Sequence, residues 1–62
     1  MVIGKEIYMK LEIGTRVNVQ GRFNGVITKI TENKHFPYTV KMDGTDEYEN
    51  CAETELYEVE EV

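Results

Sequence analysis

The 62-residue chain has no tryptophan and no serine, and only one cysteine, one histidine and one proline. Each shortage removes a class of chemistry. Without serine there is no Ser–His–Asp triad. The single cysteine, Cys51, leaves no disulfide within the chain. One cysteine and one histidine, His35, fall short of the four ligands a structural zinc takes, so no metal and no cofactor is expected. No apolar run approaches the ~20 residues a membrane helix needs. Lys5 and Glu6 interrupt the window where an export signal keeps an apolar core. The expectation is a cytoplasmic, reducing setting with no membrane contact.

Basic residues are missing from the whole C-terminal third. Residues 1–42 hold all seven (Lys5, Lys10, Arg16, Arg22, Lys29, Lys34, Lys41) against three acids, for a charge of +4. Residues 43–62 hold nine acids and no base, for −9, and the total is −5 with a sequence pI near 4.7. Such polarity constrains partners rather than fold. The length allows one domain, whose core supplies only ~3–5 kcal/mol without a disulfide or metal to help.

What is present is a succession of short alternating segments. Ile7, Met9, Leu11 and Ile13 alternate with polar neighbours, the period of a half-buried strand over 5–13. Residues 1–13 are therefore set apart as an N-terminal strand that extends the fold or offers an edge to a partner. Arg16 to Gln20 follows as a strand with Val17 and Val19 inward. Gly21 to Gly25 reads as a loop whose glycines supply positive φ. Val26 to Thr31 is a β-branched strand, with Val26, Thr28 and Ile30 on one face and Ile27 and Lys29 on the other. After a loop holding Pro37, Tyr38, Val40 and Met42 form one face of a third strand. Asp43-Gly44 signals a tight hairpin, and Glu47 to Ala52 returns as a fourth strand with Tyr48 inward. Glu53 to Leu56 suits one 3₁₀ turn that drops Leu56 into the core, and residues 57–60 close the sheet. Strands of this length and spacing indicate an all-β fold, a small barrel or sandwich of about five strands over 14–62. Its expected core is Val17, Val19, Val26, Ile30, Val40, Met42, Leu56 and Val59, with the tyrosines inward.

This order resembles the SH3-like small barrel. Gly14, Arg16, Val17, Val19, Gly21, Gly25, Val26 and Ile30, with Phe23 between the two later glycines, resemble the KOW motif over residues 14–30. Tyr38, Val40, Asp43, Gly44 and Leu56 are similar to the Tudor branch, and the resemblance spans 14–59. The chain lacks the further glycine that KOW sequences place a few residues after Gly25. The KOW likeness implies nucleic-acid or polymerase contact, and the Tudor likeness an aromatic cage.

Few residues carry chemistry. His35 reads as a solvated loop residue and Cys51 as a buried small hydrophobe. Asp46, Glu47, Glu49, Glu53, Glu55 and Glu58 form a candidate acidic docking face, since alternating acids project to solvent and a catalytic carboxyl would need a cleft. Phe23 and Phe36, both in loops, cap one barrel end together, touch a partner, or contribute to a cage. Gly21 and Gly25 open no helix, so nucleotide binding is excluded.

Two functions follow. The first is a non-enzymatic protein-interaction module, monomer or weak dimer, that docks a partner with a basic surface. An adaptor or a phage-type inhibitor imitating nucleic-acid charge fits that description. The second is a KOW-like nucleic-acid or ribonucleoprotein binder using Arg16, Arg22, Lys29 and Lys34, with Lys41 beside them. The low pI opposes it, because phosphate binding is driven by cations that release counterions.

Overall fold

The computed structural model describes residues 11–59. Within them run β1 (Arg16–Val19), β2 (Phe23–Ile30), β3 (Tyr38–Met42), β4 (Tyr48–Cys51), a 3₁₀ turn at Glu53–Glu55 and β5 (Leu56–Glu58). All pairings are antiparallel, in the order β4-β3-β2-β1-β5. The all-β expectation and the 3₁₀ turn are observed, but among the described residues β4 and β5 are edges with no ladder between them, so the sheet they form is open.

The turns set the register. Gln20 and Gly21 have φ of 53° and 75°, and the Arg22 N–H donates to Val19 O at 2.9 Å. Two successive positive φ values are what a type I′ hairpin turn requires. The Asn18 side chain supports it by accepting the Gly21 N–H at 2.6 Å. This turn is shorter than the expected 21–25 loop, and it brings Phe23, Asn24 and Gly25 into β2. Gly25 therefore has a different role from the one expected. It is buried in the strand, where an added Cβ would lie 2.7 Å from Val40 Cγ1 and closer still to the Lys41 carbonyl. Only the absent side chain lets β3 approach. Between β3 and β4 the Met42 N–H donates to Glu47 O at 2.9 Å, enclosing Asp43–Asp46.

Residues opposed in an antiparallel pair share a face, so the ladders sort every strand position. The inner rows are Phe23–Val19–Leu56, Met42–Gly25–Val17–Glu58, Glu49–Val40–Ile27 and Cys51–Tyr38–Ile30. The outer rows are Asn24–Asn18–Tyr57, Tyr48–Lys41–Val26–Arg16 and Asn50–Thr39–Lys29. A bulge between Ile27 and Lys29 inserts Thr28 and reverses the alternation of β2. Ile27, two residues from inward Gly25, is the buried residue, Val26 lies on the outer face half-buried, and Ile30, carried to an inner row past the bulge, is 43% exposed.

The core is Val17, Val19, Ile27, Val40, Cys51 and Leu56, with Leu11, Phe23 and Tyr38 packed against it. Val17, Val19, Val40 and Leu56 were expected there. Met42 and Val59 are only half-buried. Tyr48 and Tyr57 are 58% and 59% exposed, contrary to their expected inward placement. Most of the N-terminal strand expected at 5–13 falls outside the described residues. At its C-terminal end there is no strand: the Thr15 N–H turns back to Glu12 O at 3.0 Å, Leu11 packs on the core, and Ile13 is 65% exposed.

The open sheet must also roll. Flat, the diagonal from Cys51 on β4 to Leu56 on β5 would be ~30 Å, from ~4.8 Å per strand and ~3.3 Å per residue. Yet the connection spans at most ~18 Å. The Gln20 N–H, beyond β1, donates to Glu55 O at 3.0 Å. Each of the five strands thus contributes a buried residue to one small core.

Candidate functional site

Both arginines of the cationic half are engaged with acids of the other half. Arg16 forms a two-pronged pair with Asp43, Nη1–Oδ1 3.2 Å and Nη2–Oδ2 2.8 Å. Arg22 donates to Glu49 Oε2 at 2.7 Å, and its guanidinium lies 5.2 Å from the centre of the Phe23 ring. The hydrogen bond to Glu49 raises the Arg22 pKa above its ordinary value. The expected cationic set is not gathered in one place. Arg16 and Lys29 lie on the outer face, Arg22 at the β1–β2 turn, and exposed Lys34 in the β2–β3 loop.

The six candidate acids divide in two. Glu49, on an inner row, holds Arg22. Glu55 accepts the Ala52 N–H at 2.9 Å through Oε1 and so stiffens the 3₁₀ turn. Both are half-buried and structural. Asp46 and Glu47 lie in the β3–β4 turn, Glu53 in the 3₁₀ turn, and Glu58 on edge strand β5. These four are exposed, and among the described residues they enter no ion pair.

The loop aromatics do not meet as one cap. Phe23 begins β2 and packs on the core, whereas Phe36 follows the far end of that eight-residue strand, ~23 Å away along it. Phe36 is 48% exposed beside His35, with ring centres 6.3 Å apart. Asn33 Oδ1 fixes both residues by accepting their N–H groups at 2.8 Å.

The exposed tyrosines are what sequence reasoning missed. Cys51 and Tyr48 are three apart, so an inward Cys51 turns Tyr48 outward. Inward Leu56 does the same to adjacent Tyr57. With those parities applied, no described strand position on the outer face carries an acid.

Burial pushes the Cys51 thiol up to about 11, away from the reactive thiolate. Among the described residues no three of His, Cys, Asp and Glu converge to hold a metal ion, and no helix is long and apolar enough to cross a membrane. No protein-family model, curated protein or solved structure matches the chain.

Proposed function

We propose that the chain is a non-enzymatic interaction module that docks a protein with a basic surface through Asp46, Glu47, Glu53 and Glu58. One observation carries this reading. Arg16 and Arg22 are already bound to Asp43 and Glu49, while those four carboxylates are exposed and uncompensated. Unneutralised acids at the sheet edges give little to the fold and steer a cationic partner by long-range attraction. We take the fold to be an SH3-like small barrel. The meander of four strands, the 3₁₀ turn and the return of β5 to β1 support that assignment.

The test uses a lysine-rich peptide as a model partner, followed by fluorescence anisotropy. Glu53→Lys and Glu32→Lys change the net charge equally, but Glu32 lies outside the proposed docking set. Glu53→Lys should weaken binding clearly more than Glu32→Lys. Equal losses would mean that the peptide senses only overall charge, and the proposed surface would fall.

A further inference from the structure

Edge strand β4 carries backbone groups that its own sheet does not use. The Met42 N–H donates to Glu47 O, which makes Met42 and Glu47 a hydrogen-bonded pair of the β3–β4 ladder. Such pairs recur at every second residue of an antiparallel ladder, so Glu49 bonds Val40 and Cys51 bonds Tyr38. The N–H and C=O groups of Tyr48 and Asn50 therefore point off the edge, where no strand follows among the described residues. Both residues are exposed. The other edge offers less. On β5 the bond from Val59 N–H to Arg16 O turns the backbone groups of Leu56 and Glu58 off the edge, but the Leu56 N–H is already donated to Glu53 O.

We infer that the partner docks as an extended basic segment that adds a strand to β4, hydrogen-bonded to the backbone of Tyr48 and Asn50. The inference rests on the docking reading above for its charges and adds how the partner is held. Asp46 and Glu47 precede β4 and Glu53 follows it, so an added strand with lysine or arginine near both ends meets acids at both ends. In strand addition the main-chain bonds supply affinity and alternate side chains supply specificity. The Tyr48 ring, 58% exposed, suits a β-branched residue opposite it. A second copy fits this edge poorly. Antiparallel pairing of two β4 edges would set Asp46 and Glu47 of one copy beside Glu53 of the other, and like charges across strands repel. Glu58, on β5, lies outside this contact and acts by long-range attraction alone.

Amide hydrogen exchange, followed by NMR on the intact chain with the peptide Lys-Lys-Thr-Val-Thr-Lys-Lys, tests this without any variant. At free peptide about ten times its Kd, exchange of the Tyr48 and Asn50 amides should slow about tenfold, while the Glu58 amide on the other edge keeps its rate. A counterpart N-methylated at every residue keeps the charge and loses its backbone donors. It should bind at least about tenfold more weakly, the loss of one or two net hydrogen bonds. Asn50→Pro removes a donor that β3 does not use, at an edge where proline is tolerated. It should weaken the peptide at least roughly fivefold, whereas Asn50→Ala, which keeps the N–H, should bind like wild type. Unslowed Tyr48 and Asn50 amides under bound peptide, or equal binding of the methylated peptide, would overturn the inference. The docking reading would survive that result if Glu53→Lys still weakened binding more than Glu32→Lys. Slowing of the Glu58 amide instead would move the contact to β5 and overturn it too. So would slowing of the Tyr48 amide as the protein alone is concentrated, which would give the edge to a second copy. No binding at low salt would overturn both readings.

Discussion

Arg22 donates to Glu49 at 2.7 Å although 27 positions separate them in sequence and neither segment pairs with the other in the sheet. Arg22 sits at the β1–β2 turn and Glu49 on edge strand β4. In a flat sheet two strands would part them, so their contact belongs to the rolled state alone. The same bond neutralises one surface cation and removes one acid from the docking set.

Removing that contact should loosen the roll without abolishing it. Arg22→Ala is expected to lower the melting temperature by less than a core truncation, because the pair is exposed and screened. The difference from wild type should shrink in concentrated salt. Thermal melts at low and high salt measure it, and a salt-independent deficit would assign the role to the Phe23 contact instead.

Leu56 ties the 3₁₀ turn to β1 and is 2% exposed. Leu56→Ala should cost about 2–5 kcal/mol, comparable to the whole stability of so small a domain. Denaturant unfolding should find the variant largely unfolded; a melt within a few degrees of wild type would contradict this placement.

Gly25 lets β3 pass close to β2. Gly25→Ala should cost about 1–3 kcal/mol through overpacking against Val40 and the Lys41 carbonyl. A neutral or stabilising effect in equilibrium unfolding would contradict that close approach.

These residues also mark how far the sequence could be read. Val17, Val19, Val40 and Leu56 follow from alternation and turn signals, because each lies in a regular strand or beside a recognisable turn. Ile27 does not, since only the pairing of β2 with β1 and β3 decides between Val26 and Ile27, and the bulge at Thr28, which no residue type announces, puts Val26 and Ile30 on opposite faces. Gly25 reads as a loop glycine until the neighbouring strand is in place. Tyr48 and Tyr57 were legible from the parity of Cys51 and Leu56, but their aromatic character suggested core. The candidate acids were legible as a group. Their division into structural and free members was not, because it depends on Arg22 reaching Glu49 across the fold and on Glu55 turning back to the Ala52 N–H within the 3₁₀ turn.

Cys51 gives the fold a predictable alkaline limit. Its thiol rises from an ordinary 9.0 to about 11, chiefly by burial. The unfolded chain therefore loses the proton first, and the stabilisation held below pH about 9 is lost as pH rises toward about 11. Stability measured across that window should fall, and Cys51→Ala should flatten that part of the profile. An unchanged profile would mean the thiol titrates normally.

The most direct test of docking through the acidic edges is the association rate of the lysine-rich peptide, measured by stopped flow as salt rises. Over the range in which the Debye length falls from ~10 Å to ~3 Å, association with the wild type should slow steeply. With Asp46, Glu47, Glu53 and Glu58 all changed to their amides, it should be slow and nearly salt-independent, with the fold retained. An equally steep salt dependence in that variant would contradict the account.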